Sequence, residues 1–274
     1  MKFGKYNLPV GERTLVMGIL NVTPDSFSEG GEFFDRKLAL IHALQMIADG
    51  ADIIDVGGES TRPGSEVVSI EEELERVIPV IKELAPKTAI PLSIDSYKPE
   101  VVEKAVAAGA SMINDVYGLR STGMTEVAAK CKMPVCIMHM QGTPKNMQEN
   151  PVYKDVVKEI SGFLKKQAEH AIKDGVDKSQ IIVDPGIGFG KTVEHNIEII
   201  RNLQEFKKLG YPLLVGPSRK AFIGKITGAP VTERLPGTIA ASTICTINGA
   251  DIIRAHDVKE MKQAVKITEA LTNK

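Results

Sequence analysis

The chain has 274 residues and a formal net charge of −1. That balance gives no electrostatic case for nucleic acid or an anionic membrane surface, so any anionic ligand must be held by a local basic cluster. No apolar run approaches a membrane span, and the length suits one large core or two small ones.

The first ten residues, from Met1 to Val10, are mixed polar and lack the apolar centre of a leader. Cys131, Cys136 and Cys245 have no metal-like spacing. An odd count of this kind points to reduced, buried thiols and a cytoplasmic protein.

Apolar strand patterns fall at 14–20, 53–56, 91–94, 112–113, 134–138, 181–183, 213–215 and 252–253. Helical patterns lie between them at 36–49, 70–84, 100–108, 124–130, 155–174, 193–209, 236–248 and 258–272. Gly50-Ala51-Asp52, Gly109-Ala110-Ser111 and Gly249-Ala250-Asp251 close three helices and open the next strands, as glycine does past a helix end. Eight βα units in this length predict an α/β chain folded as a (β/α)8 TIM barrel. An open doubly wound sheet would carry a glycine fingerprint after its first strand. Here that strand ends in Asn21-Val22-Thr23-Pro24. No low-complexity linker divides the chain, so 1–274 reads as a single domain.

The sixth strand pattern, Ile181-Ile182-Val183, stops at Asp184 before Pro185-Gly186-Ile187-Gly188-Phe189-Gly190-Lys191-Thr192. The run is short and β-branched, as in a buried parallel strand. Its glycine loop is one residue too short for a triphosphate-binding loop, which needs four residues between the first glycine and Gly-Lys. The glycines either admit a flat ligand or serve the turn.

Other strand patterns also end in polar groups: Asn21, Asp55 with Glu59 beyond it, Asp95, Asn114-Asp115, His139, Ser218-Arg219-Lys220 and Arg254. In a barrel these ends share one rim, where convergent polar groups in an apolar mouth mark a ligand site. Asp95, Asn114, Asp184 and Lys220 can read the edge of a flat heterocycle. Asp184 and Asn114-Asp115 would otherwise be turn or cap formers, and Lys220 a solvated helix start. Thr61, Arg62, Arg254 and His256 form a second, basic and hydroxylic set suited to a pyrophosphate. His256 could instead cap the helix beside Asp257. Asn21 and Asp25 offer hard oxygens to Mg2+ in a polar loop that ends at Gly30-Gly31 and reads as a lid. His139 reads as a packed rim residue. No zinc spacing or serine elbow is present.

These blocks, in this order, resemble the dihydropteroate synthases of the pterin-binding family. The matching stretches are 17–28, 57–64, 93–96, 113–115, 138–142, 184–191, 216–220 with 222–224, and 254–258, so the resemblance spans nearly the whole chain. It implies a barrel that condenses 6-hydroxymethyl-7,8-dihydropterin diphosphate with 4-aminobenzoate and releases pyrophosphate. On the matching positions, Thr61, Asp95, Asn114, Asp184, Lys220, Arg254 and His256 would bind the pterin diphosphate. Lys220, Arg254 and Asp95 would carry catalysis. Phe27, Arg62 and Pro63 would shape the aminobenzoate side, where sulfonamides compete. Asn21 would meet Mg2+. By analogy with the family, the protein would be a homodimer. Glu29 stands where the family often has Asp, Ala255 where Val is usual, and Val231-Thr232 where Ala or Glu is commoner. A pterin-binding methyltransferase barrel would share the ring-edge residues but needs no diphosphate clamp. An inactive relative would be expected to have lost Asn21, Lys220 or the Thr61-Arg62 loop.

Overall fold

The computed structural model describes residues 1–23, 32–61 and 64–272, with 32–35 described by backbone alone. Within it the chain opens with a short antiparallel hairpin, β1 (Lys2–Phe3) and β2 (Tyr6–Asn7). Eight parallel strands follow: β3 (Leu15–Asn21), β4 (Ile53–Gly57), β5 (Leu92–Asp95), β6 (Met112–Asp115), β7 (Val135–Met138), β8 (Ile181–Asp184), β9 (Leu214–Val215) and β10 (Ile252–Ala255). Their order is β8-β7-β6-β5-β4-β3-β10-β9, and a parallel bridge from Val183 to Leu213 joins the two ends. The expected barrel therefore forms, and every strand delivers its carboxyl end to one pole.

The alternation of side chains across each strand builds the two cores. Leu15, Met17, Ile53, Ile182 and Ile252 fill the barrel, and Phe3 from the hairpin plugs its lower end. The intervening residues, such as Val16, Leu20, Ile54 and Ile253, face the helices. Burial on both faces explains why the strands read as continuous apolar runs. The hairpin was not expected; two residues per strand is too short for a period to register.

The helices are α1 (Glu32–Ala48), α2 (Ile70–Leu84), α3 (Pro99–Ala108), α4 (Met124–Cys131), α5 (Val156–Lys173), α6 (Val193–Arg201), α7 (Leu203–Lys207), α8 (Ala221–Thr227), α9 (Leu235–Ile247) and α10 (Val258–Thr272). The single helix expected over 193–209 is two helices, parted at Asn202, whose side chain bonds back to the Glu198 carbonyl at 2.8 Å. The seven-residue α8 was also not expected; it stops at Gly228, in the left-handed region at φ 76.

The Gly-Ala-Asp turns sit at the lower pole. Asp52 accepts the Val16 N–H at 2.8 Å, Arg13 at 2.6 Å and Lys262 at 2.5 Å. Asp251 accepts the Leu213 N–H at 2.7 Å and Lys207 at 2.5 Å. Each aspartate thus ties the start of a neighbouring strand to a helix, satisfying a backbone donor that the sheet leaves over.

Candidate active site

The same alternation that fills the lower barrel with hydrocarbon fills its upper layer with polar groups. Two residues beyond inward-facing Ile53, Ile182 and Ile252 come Asp55, Asp184 and Arg254; Asn114 stands likewise beyond Met112. Strand register carries Asn21, Gly57, Asp95 and Asn114 along one row over four neighbouring strands.

Arg254 is the cation of this layer. Its Nε donates to Asp55 Oδ2 at 2.6 Å and its Nη2 to Asp95 Oδ2 at 2.7 Å. Asn114 Nδ2 donates to the same Asp55 Oδ2 at 2.8 Å. Burial works against the Arg254 cation, but Asp55 and Asp95 outweigh it and hold its pKa above the ordinary value. One guanidinium faces two buried carboxylates, so burial pushes Asp95 up to about 7 even though Arg254 opposes the shift. The Asp95 Oδ1 atom is buried and makes no hydrogen bond among the described residues. An orphaned acceptor in a barrel mouth is what a ligand N–H would satisfy.

Asp184 is buried at the end of β8, where its Oδ1 accepts the Gly186 N–H at 2.7 Å. It is therefore partly the turn former that its position suggested. Burial raises it to about 6, while Lys220, Lys191 and Arg254 act in the opposite direction. Lys220 leads into α8, and its Nζ lies 3.9 Å from the centroid of the Phe189 ring, a cation–π distance. A Cβ at Gly188 would come within 3.1 Å of Lys220 Cδ, so that glycine makes room for the lysine chain.

The glycine loop binds the protein to itself. At Gly186, where φ is +70, a Cβ would sit 2.0 Å from the His139 carbonyl oxygen. Lys191 is buried, and its Nζ bonds the Phe189 carbonyl at 2.8 Å and lies 3.1 Å from His139 Nδ1. A lysine spent in this way cannot serve a triphosphate, in keeping with the loop's length. His139 packs edge-on against Phe163, and burial beside Lys191 lowers it to about 2. It is the packed rim residue expected.

His256 reaches Ser218 rather than capping α10. Ser218 Oγ accepts the His256 backbone N–H at 3.2 Å and lies 2.9 Å from His256 Nδ1. The contact occupies Nδ1 and leaves Nε2 as the ring nitrogen that can face a ligand. Burial, with Arg254 and Arg219 nearby, lowers His256 to about 3. The ring is therefore neutral at neutral pH and not a cation. Asp257 instead holds Arg219, at 2.5 Å and 3.1 Å.

The structure thus gathers Asp95 and Asn114 about Arg254 and Asp55 by direct bonds, and brings Asp184 and His256 into electrostatic reach of both Arg254 and Lys220. Asn21 and Thr61 are half-buried, and neither hydrogen-bonds to that group among the described residues. Phe27, Arg62 and Pro63, with Asp25 and Glu29, lie outside the described residues. Glu59 turns away from the mouth. Lys98 Nζ donates to its Oε2 at 2.5 Å and to Glu73 at 2.7 Å, and the Tyr97 hydroxyl donates to its Oε1 at 2.7 Å. Asp115 accepts the Tyr117 and Leu119 N–H groups at 2.7 and 2.8 Å, the turn former that was the alternative for it. Sequence reasoning missed the work of Asp55, Phe189 and Ser218. Only the inward phase of Asp55, two residues beyond Ile53, could have signalled the first. Of the three thiols, Cys136 and Cys245 are buried and Cys131 is half-buried.

With this geometry in hand, the comparisons are specific. The family model described as "Pterin binding enzyme" matches residues 17–256. The chain is 48% identical over 276 residues to the dihydropteroate synthase of Clostridium beijerinckii, covering 100% of both chains. It superposes on the Yersinia pestis dihydropteroate synthase solved with a sulfonamide drug at a TM-score of 0.95, with 44% identity over 100% of this chain and 99% of that one. The Xanthomonas albilineans dihydropteroate synthase solved with 4-aminobenzoic acid gives a TM-score of 0.91 and 45% identity over 95% and 94% of the two chains. The chain belongs to the pterin-binding enzyme family, and within it to the dihydropteroate synthases.

Proposed function

We propose that the chain condenses 6-hydroxymethyl-7,8-dihydropterin diphosphate with 4-aminobenzoate to give 7,8-dihydropteroate and pyrophosphate. The observation that carries this reading is the Arg254 guanidinium, fixed between Asp55 and Asp95 in a barrel mouth that also holds Asn114, Asp184 and Lys220. Asp95, Asn114 and Asp184 are acceptors for ring N–H groups, and Lys220 is a donor for a ring carbonyl. Arg254 lies across the ring and reaches the diphosphate, toward which His256 turns Nε2. Thr61, with Phe27, Arg62 and Pro63, shapes the side that takes 4-aminobenzoate and sulfonamides.

In the reaction the bond from the exocyclic carbon to the diphosphate oxygen breaks, and a carbon–nitrogen bond forms to the arylamine. The amine then sheds one proton to water or pyrophosphate. The amine is already neutral at pH 7, so positioning and charge stabilisation suffice and no strong base is required. Substantial cation character at the exocyclic carbon is expected as the first bond loosens. A secondary isotope effect at that carbon showing a tight, associative transition state would contradict this.

Asn21 fits a partial Mg2+ site. It ends β3 at the rim with a half-buried amide, and Mg2+ takes one or two protein oxygens together with substrate phosphates. Bound there, the ion would neutralise charge on the leaving diphosphate. Among the described residues no cluster of three His, Cys, Asp or Glu could hold a metal alone, and the substrate diphosphate would supply further oxygens.

The same reading makes 1–274 one working domain and the protein a cytoplasmic homodimer. Three free thiols support the reducing compartment. An apolar groove between α9 and α10 supports the dimer, where Ile247, Ile267 and Leu271 stand 44%, 63% and 79% exposed. Sedimentation at micromolar concentration tests it.

The deciding experiment for function is pyrophosphate release from the two substrates with and without Mg2+. Release that requires both substrates and the metal is expected. Methyl transfer from methyltetrahydrofolate without pyrophosphate release would overturn the reading, and ring binding with no turnover would mark an inactive relative.

A further inference from the structure

Asp55 is the most buried member of the polar layer, with no exposed surface. One of its oxygens, Oδ2, receives both the Arg254 Nε–H and the Asn114 amide. These donors come from β10 and β6, which stand on either side of β4 with one strand between in each direction. A single atom thus fixes two side chains that the proposed ring site uses from opposite directions.

The chemistry of each contact has a consequence. An amide can flip, exchanging its oxygen for its NH2 group. Against a carboxylate oxygen only the NH2 is attractive, so Asp55 holds Asn114 with Oδ1 as the atom left to accept from a ligand. The guanidinium is likewise held by a fork. Nε goes to Asp55 and Nη2 to Asp95, which sets the plane of the group as well as its position. Asp95 alone would leave that plane free to turn about one bond.

We propose that Asp55 is a positioning residue that sets the polarity of the ring-binding face: it keeps Asn114 as an acceptor and Arg254 in the plane that covers the ring. This rests on the function proposed above. It adds a residue that acts through two others rather than on the ring itself.

The test compares Asp55→Asn and Asp55→Ala. Both bonds fall on one oxygen, so asparagine can keep both with its own Oδ1, losing only charge. Alanine loses both bonds. Calorimetry with pterin-6-carboxylic acid should show ring affinity weakened on the order of 10- to 100-fold in Asp55→Ala, the range for hydrogen bonds to charged groups, and less in Asp55→Asn. In turnover, the KM for the pterin diphosphate should rise more than the KM for 4-aminobenzoate. The sharper readout is a cycle with Asn114→Ala. If Asp55 acts through Asn114, Asp55→Ala costs less ring affinity on the Asn114→Ala background than in the wild-type chain.

Additive losses, or equal rises in both KM values, would reduce Asp55 to a structural role and overturn the proposal. Circular dichroism and urea melts establish that each variant is folded. If Asp55→Ala does not fold, Asp55→Leu, which fills the same space and keeps neither bond, carries the same cycle, and ring affinity unchanged from wild type would equally refute the proposal. The wild-type chain is assayed first for pyrophosphate release. Failure there defeats the proposed function, whereas the calorimetric cycle still decides the role of Asp55.

Discussion

Asparagine in place of Asp95 should change how the stability of the ligand-free protein depends on pH. Burial lifts the Asp95 carboxyl from 3.8 to about 7, because Arg254, which opposes the shift, is shared with Asp55. A shift of about 3 units corresponds to roughly 4 kcal/mol. With 10% of the Asp95 side chain exposed, solvent screening sets the expected figure at roughly 2–4 kcal/mol. The sign follows from proton counting. Between about pH 4 and about pH 7 the native state keeps a proton that the unfolded chain has released, so this group's contribution to stability falls as pH rises through that window. Below the window it costs nothing, and above it the full cost stands. Urea unfolding of wild-type and Asp95→Asn protein at about pH 4 and about pH 8 measures the difference, since other titrations cancel between the two. The variant should gain on the wild type by roughly 2–4 kcal/mol from the lower pH to the higher. Parallel stability curves would refute the argument and show the Arg254 pair ionised throughout.

Lys220→Ala should weaken ring binding on the order of 10- to 100-fold in calorimetry while leaving the melting temperature near wild type, because its head group packs on Phe189 at the rim. Gly186→Ala should destabilise by at least ~2 kcal/mol in urea unfolding, since φ is +70 and the added Cβ would lie 2.0 Å from the His139 oxygen. Asp52→Asn should cost roughly 1–3 kcal/mol at neutral pH, with kcat unchanged. Burial opposes the Asp52 carboxylate, but Arg13 and Lys262 outweigh it and hold it below the usual range. Its contribution is therefore present above the unfolded value and lost as the pH falls through the native one, so the cost should shrink in acid. Chelating Mg2+ should abolish pyrophosphate release but leave calorimetric binding of pterin-6-carboxylic acid intact, as that ligand lacks the diphosphate.

The barrel was legible because eight strands buried on both faces leave eight uninterrupted apolar runs, and those runs need no partner to be seen. The polar strand ends were legible for the same reason: Asp95, Asn114, Asp184 and Arg254 interrupt hydrocarbon. Direction was not legible. Glu59 and Asp55 both follow the Ile53-Ile54 run, yet Asp55 points into the barrel and Glu59 sideways to Lys98. Period two predicts an inward Asp55, but nothing local reveals that Arg254, 199 residues away, will meet it. The hairpin escaped because two residues per strand cannot show an alternation, and α8 because seven residues make fewer than two helical turns. A self-contained cap was the alternative reading of His256 and Asp257; the partners that separate them, Ser218 and Arg219, come from 38 residues upstream. The misses at Asp55, Ser218 and Arg219 are long-range contacts that only the closed barrel creates.

The two poles of the barrel use aspartate in opposite ways, and the difference explains where chemistry can occur. At the lower pole Asp52 has a strand N–H, an arginine and a lysine to itself, and its pKa falls. Every lone pair it needs to share is taken, so it stabilises and binds nothing else. At the upper pole Asp55 and Asp95 divide one arginine, and Asp95 and Asp184 rise toward neutrality. Among the described residues an acceptor remains over there, the buried Oδ1 atom of Asp95. A folded protein tolerates such a deficit only where something else supplies the missing hydrogens. On the proposed function a ring with N–H groups on its edge would do so, and its binding energy would then include relief of the deficit that folding left in the mouth.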